Sequence, residues 1–303
     1  MAQRTDTTEA ALGRSTRRAA RSGPGWLRTL KQFAQRRTLG FVGGLVIVLM
    51  LVVALLAPIV APYDPEETSF LDQLKPPSLE HLLGTDPFGR DVLSRLIYGS
   101  QTALLVGFGA SIVGCSIGAI MGLIGAYYGG KTDMILERLN DVLISFPLII
   151  LAVAVVAALG TGVFNVILAI TIPIIPRVAR VIRSSGLTLR QMQYVEAARC
   201  LGVGDMRIVF RHLLPNVVAP YLILLSAFLG QAILLESSLS FLGLGVAEPK
   251  PAWGLMLRGA GVQFMEQAPW LAIAPGVAIS AAVFAFNLLG DSLRDALDPR
   301  LRL

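Results

Sequence analysis

Residues that carry chemistry are scarce in this chain. Only two cysteines and two histidines occur among 303 residues, and charged residues make up 15%. Cys115 falls inside an apolar run and Cys200 in a polar loop, so a disulfide framework is excluded and both read as small packing residues. His81 and His212 belong to segments on opposite sides of the apolar runs. No HExxH-type metal set can be assembled from them, and no Ser-His-Asp set. The apolar runs contain no paired carboxylates and no activated nucleophile, as an intramembrane protease would need. These absences point away from an enzyme and from any metal or cofactor of its own.

Apolar sequence is what the chain has in abundance. It is 54% hydrophobic, far beyond an ordinary soluble domain and typical of a multi-span membrane protein. A helix crosses a bilayer with about 20 apolar residues. Six runs meet that requirement, at 40–61, 101–126, 142–160, 162–182, 217–237 and 271–290. The fourth has its clean apolar part end near Pro176, so Arg177 and Arg180 are expected to reach toward lipid headgroups. The expectation is an all-α, polytopic membrane protein of six transmembrane helices.

The net charge of +6 is sorted by these runs. Six spans put both termini on one side, and that side carries 21 Lys and Arg against 5 on the other. Cytoplasmic faces hold the basic excess. Both termini and the loop after the fourth span are therefore expected in the cytoplasm, and the charge is not a nucleic-acid signal.

That loop organises the rest. Residues 194–215 are mostly polar yet lie between two spans. Glu196-Ala197-Ala198 starts a helix-forming run, Gly202 and Gly204 interrupt it, and Met206, Val209, Phe210, Leu213 and Leu214 give a second short helix one apolar stripe. Pro215 is expected to end that helix. The pattern of Glu196, Ala197, Ala198, Gly202, Leu214 and Pro215 resembles the EAA loop of membrane subunits of ABC importers. His212, two before the Leu, stands where an aliphatic residue is usual and resembles the peptide-importer branch.

The resemblance covers about 40 to 303. It includes the block HLLGTDPFGRDVLSRLIYGS from His81 to Ser100, the Ser237-Ser238 and FLGLG segment, and the ending LRDALDPR. It is a resemblance to the C-type permease subunit of dipeptide, oligopeptide and nickel importers, and it implies the type I (MetI-like) importer permease fold. It further implies that residues 194–215 are the coupling loop that docks on a separate ATP-binding subunit. A second, related permease, two ATP-binding subunits and an external solute-binding protein complete the implied assembly in the bacterial inner membrane. ATP is then bound by the partners and not by this chain. Dipeptides, oligopeptides, nickel complexes and glutathione all remain open as substrates.

The remaining segments fill in the domain plan. Residues 1–39 are a basic tail, polar at first, with an amphipathic helix expected over Trp26–Arg37 on the inner leaflet. Too long an apolar run follows for a cleaved signal peptide, so 40–61 reads as an uncleaved anchor. In the external loop, 62–100, Gly84-Thr85-Asp86 marks a turn. Asp91 and Arg95 are spaced to pair on a helix whose Val92, Leu93, Leu96 and Ile97 lie along the membrane. This loop either closes the outer mouth or meets the binding protein. The second span is rich in small residues, from Gly107 to Gly122, and belongs inside a bundle or at a subunit seam.

Gly125–Thr132 matches the P-loop pattern letter for letter, but it follows a span rather than a strand, so a nucleotide site is not expected there. Tyr127 and Tyr128 read as interfacial. Pro173 and Pro176 are expected to kink the fourth helix. In the fifth span Gln231 sits near the middle and Glu236 near the outer end, where it can be hydrated. Trp253 and Trp270 read as interfacial anchors. Residues 101–290 form the five-helix core, and 291–303 a cytoplasmic tail.

Two other classes compete. A secondary transporter acting alone would want midplane charges and internal repeats, and neither is evident. A membrane-embedded enzyme would need the catalytic constellation that is missing.

Overall fold

The computed structural model describes residues 38–297. The basic tail, including the helix expected over Trp26–Arg37, and the last six residues lie outside the described residues. Within them the chain is helical, with a lone bridge between Thr85 and Asp91. The principal helices are α1 (Thr38–Leu55), α2 (Val92–Tyr128), α3 (Gly130–Ile144), α4 (Leu148–Leu159), α5 (Val163–Arg190), α6 (Gln193–Cys200), α7 (Asp205–Ile208), α8 (Val218–Phe241), α9 (Trp253–Met256) and α10 (Trp270–Leu297).

Among the described residues five stretches are long and apolar enough to cross a membrane: α1, α2, α5, α10 and the run Asp205–Phe241 that joins α7 to α8. The sixth crossing exists only if α3 and α4 are taken together, and they meet at 90°. The expected span 142–160 is therefore not one continuous helix but is broken in the middle. Its first residues finish α3, and Pro147 starts a new helix, because the residue before a proline disfavours helical backbone. The twelve residues of α4 rise only about 18 Å, well short of a bilayer core.

α2 and α5 form the centre. Gly114, Gly118 and Gly122 of α2 recur every fourth residue and so share one face. Bare of side chains, that face lies directly on α5: a Cβ added at Gly118 would stand 2.6 Å from Ile175 O and 2.8 Å from Val178 Cβ. The small residues thus serve contact within this one chain. α5 continues unbroken through Pro173 and Pro176 to Arg190, so the expected kink produces no break in the helix. On the other side of the bundle α1 lies against α10, where Gly43 faces Ala285 O at a built-Cβ distance of 2.6 Å.

Arg180 does not reach for headgroups. Its Nη2 donates to Asp141 of α3 at 2.7 Å, and Arg183 grips Asp133 through two hydrogen bonds of 2.5 Å. Asp133, Glu137 and Asp141 are spaced four apart on α3, so their carboxylates make a ladder along the end of α5.

At the opposite end the segment 61–91 forms a cap with the loop before α10. α2 begins at Val92 rather than 101, and its first two turns are enclosed by this cap instead of lying on a membrane surface. Asp91 caps that helix: its Oδ2 accepts from Ser94 N and Ser94 Oγ, both at 2.8 Å, and His81 Nδ1 meets its Oδ1 at 2.9 Å. It does not pair with Arg95. Arg95 is buried, donates to Pro65 O at 2.9 Å and stands 3.8 Å from Asp86. Trp253 and Trp270 are pins of the cap rather than lipid anchors. Trp253 Nε1 donates to Leu96 O at 2.9 Å and Trp270 Nε1 to Thr85 O at 3.3 Å. Glu236, expected to be hydrated, is fully buried, with Ser240 Oγ donating to it at 2.7 Å.

Candidate functional site

α5 runs out of the bundle at the end away from the cap and turns at Gln191–Met192 into α6. α6 buries Val195 and Ala198 and exposes Glu196, Ala197, Arg199 and Cys200. Its end is a Schellman motif: Gly202 N–H donates to Arg199 O at 2.9 Å and Val203 N–H to Ala198 O at 3.1 Å. Gly202 has φ +73°, the left-handed conformation this motif demands, and the space around it is open. Its role is backbone geometry. Gly202→Ala is expected to cost about 1 kcal/mol and Gly202→Asn clearly less, since asparagine tolerates that conformation. Thermal melts of the two purified variants check this ordering.

After the bend, the chain re-enters the bundle without stopping. α7 passes through a π-helical turn at Val209–Leu213 and a tight turn at Leu214–Val217 into α8. Pro215 therefore does not end a helix. It sits at the start of the tight turn, and Asn216 Nδ2 caps His212 O at 2.6 Å. The buried stripe also differs from the expected one. Ile208, Val209, Leu213 and Val217 are buried, whereas Met206 and Phe210 are exposed, and from Val209 onward the π turn changes the register.

The rear of this elbow is fastened to the end of α2. Tyr127, expected at a lipid interface, is buried; its hydroxyl donates to Asp205 Oδ1 at 2.6 Å, and the Arg199 guanidinium lies 4.9 Å from its ring centre. Arg190 Nη1 adds a bond to Ala126 O at 3.2 Å. Tyr127 belongs to the P-loop look-alike, which folds as the end of α2, a turn at Gly129 and Gly130 with positive φ, and α3. A tyrosine in a glycine-rich helix end is the sequence signal of this latch.

The front of the elbow is free and apolar at its tip. Leu201 is 82% exposed and Met206 56%, with Tyr194 and Phe210 beside them. Cys200, expected to be a packing residue, is exposed. The six residues Glu196, Ala197, Ala198, Gly202, Leu214 and Pro215 are thus split. Glu196 and Ala197 face outward beside the tip, Ala198 and Gly202 build the bend, and Leu214 and Pro215 shape the return into α8. Among the described residues no cluster of three or more His, Cys, Asp or Glu is placed to hold a metal.

The elbow thus presents an exposed apolar tip at one end of a bundle of apolar helices. Residues 114–303 match the family described as the binding-protein-dependent transport system inner membrane component, and residues 26–77 match the N-terminal TM domain of oligopeptide transport permease C. The chain belongs to this family of ABC importer permeases. It is similar to a glutathione transport system permease protein of Pectobacterium atrosepticum, 44% identical over 91% of this chain and 90% of the relative. It is also similar to a dipeptide transport system permease protein of Alkalihalophilus pseudofirmus, 40% identical over 91% and 90%. As a member of the family, the chain is a multi-pass inner-membrane permease subunit of an ABC importer, with the type I (MetI-like) permease fold.

Proposed function

We propose that this permease imports peptides and that residues 194–215 take force from a separate ATP-binding subunit. The observation that carries the reading is the elbow itself: a free apolar tip in front, and a rear face buried against α2, α5 and α8. A groove on a partner can hold Leu201 and its neighbours, while Glu196, Arg199, Arg207 and Arg211 give the rim charges to match. Force on the tip then passes into α5 on one side and α8 on the other, because both helices run into the elbow with only short turns between.

The assembly contains a second related permease, two ATP-binding subunits and an external solute-binding protein, and both termini lie in the cytoplasm. The chain catalyses nothing and holds no cofactor; ATP binds the partners. ATP shifts the transporter between inward- and outward-open states only through its different affinity for the two. Dipeptides and oligopeptides are the first choice of substrate. Glutathione is the second, supported by the 44% identity to the Pectobacterium protein.

The native thiol of Cys200 tests the elbow. A bulky maleimide applied to the cytoplasmic face of membrane vesicles is expected to label Cys200 in the chain expressed alone, and at least fivefold less in the assembled complex. Equal labelling in both, or labelling only from the opposite face, overturns the reading.

A further inference from the structure

We propose that the exposed face shared by α8 and α10, with Gln231 and Asn287 at its centre, is a wall of the transport path and binds the main-chain amides of the passing peptide; this rests on the peptide-import reading above.

Gln231 is exposed on α8 and Asn287 on α10. Gly230 lets the two helices approach. A Cβ built there would stand 3.3 Å from Val283 O and 3.5 Å from Asn287 Oδ1. The two carboxamides therefore sit at one height on one face. Among the described residues neither makes a hydrogen bond or any other polar contact. Seven residues toward the cap on each helix stand Ser238 and Ser280, at the edge of a groove of about 440 Å³ lined also by Ile149, Leu234, Phe241 and Gly276.

α1 offers the contrast. Between Phe41 and Leu55 its exposed side chains are all apolar, as lipid requires, whereas α8 and α10 set the two exposed carboxamides among exposed Leu234, Val277 and Phe284. A carboxamide turned to hydrocarbon would lose its water and gain no partner. Two side by side, with serines above them, mark a face that meets water and a polar passenger.

The chemistry of the column selects the passenger. No exposed residue of α8, or of α10 between Ile273 and Asn287, is charged. Carboxamides both donate and accept, as a peptide group does, and neutral groups are indifferent to the charge of the solute's side chains. Seven helical residues rise about 10.5 Å, roughly three residues of extended peptide. A di- or tripeptide can thus touch the serine level and the carboxamide level together.

The test uses the complete complex in vesicles, with Cys115→Ala and Cys200→Ser as background. Gln231→Cys and Asn287→Cys are expected to react with a charged, membrane-impermeant thiosulfonate, and tri-alanine should slow that reaction at least fivefold. Leu45→Cys, facing lipid, should stay unreactive. The unmodified complex is expected to prefer tri-alanine about tenfold over its analogue N-methylated at the central amide. Gln231→Leu and Asn287→Leu, assembled at normal yield, should narrow that preference to about twofold. Cysteines as inert as Leu45→Cys place the face against lipid or a second permease and overturn the proposal. Reactive cysteines that tri-alanine does not protect, with the preference unchanged, overturn it as well. If neither tri-alanine nor glutathione is taken up at all, the peptide-import reading fails first and this proposal falls with it. Uptake of peptides with unprotected cysteines sinks the proposal alone.

Discussion

Leu201→Asp is expected to bring ATP-driven uptake to below one-tenth of the wild-type level while the chain remains in the membrane at normal abundance. Leu201 is 82% exposed, so nothing inside this chain depends on its side chain. Placed in a partner's apolar groove, a leucine contributes about 2 kcal/mol. An aspartate there loses that contribution and adds a carboxylate without a partner, which raises the total to about 3 kcal/mol or more. Such a difference weakens the docked state by more than a hundredfold. Co-purification of the ATP-binding subunits with tagged chain reads the docking, and uptake of labelled peptide in cells reads the outcome. Leu201→Met keeps the volume and should behave like the wild type. Normal uptake by Leu201→Asp would show that the tip is not a docking point.

Gly118→Leu is expected to remove the chain from the membrane altogether. A Cβ at Gly118 already meets the α5 backbone, with Ile175 O at 2.6 Å and Ala179 N at 3.2 Å, so no side-chain rotation can relieve it. The helices must part, and the buried residues around Ile174 and Val178 lose their packing together. The cost is about 4 kcal/mol or more, in the range where single substitutions unfold proteins. Gly44→Ala is the matched control. It lies in an apolar helix too, but its added Cβ would meet only Leu289 Cδ1, at an ordinary 3.8 Å. Immunodetection of the chain in isolated membranes separates the two, and equal abundance would refute the packing argument.

The parts of the fold legible in the sequence were those set by composition over long windows. Apolar runs of membrane length located five long helices but not the break at Pro147 in the run 142–160, and the glycines of the second run marked it as a packing helix. Contacts between segments distant in sequence were not legible. Arg180 lies 39 residues from Asp141, so its partner could not be read from helical spacing, and lipid headgroups stood in for it. Asp91 and Arg95 had the right spacing to pair. The carboxylate instead accepts from the buried Ser94 N–H in the first turn of α2, a donor with no carbonyl partner inside the helix.

The elbow was legible in its punctuation. Gly202 was placed as the bend, and its positive φ supplies the physical reason. Its buried face was misjudged, because a stripe counted at 3.6 residues per turn slips where five residues wind as a π turn before Pro215. Aromatic residues at the ends of membrane helices are commonly interfacial, so in the sequence Tyr127 reads that way. What decides its position is Asp205, 78 residues away.

α2 is 37 residues long, about 55 Å from end to end, nearly twice the depth of the bilayer's hydrocarbon. Its first turn is knotted into the cap through Asp91, and its last carries the tyrosine that holds Asp205. A stiff beam tied at both ends cannot be tipped at one alone. Pivoting it by about 10° around its midpoint swings each tip by about 5 Å. Under the coupling proposed above, a push on the elbow therefore reaches the cap through the same shaft, and the two ends of the bundle answer it together.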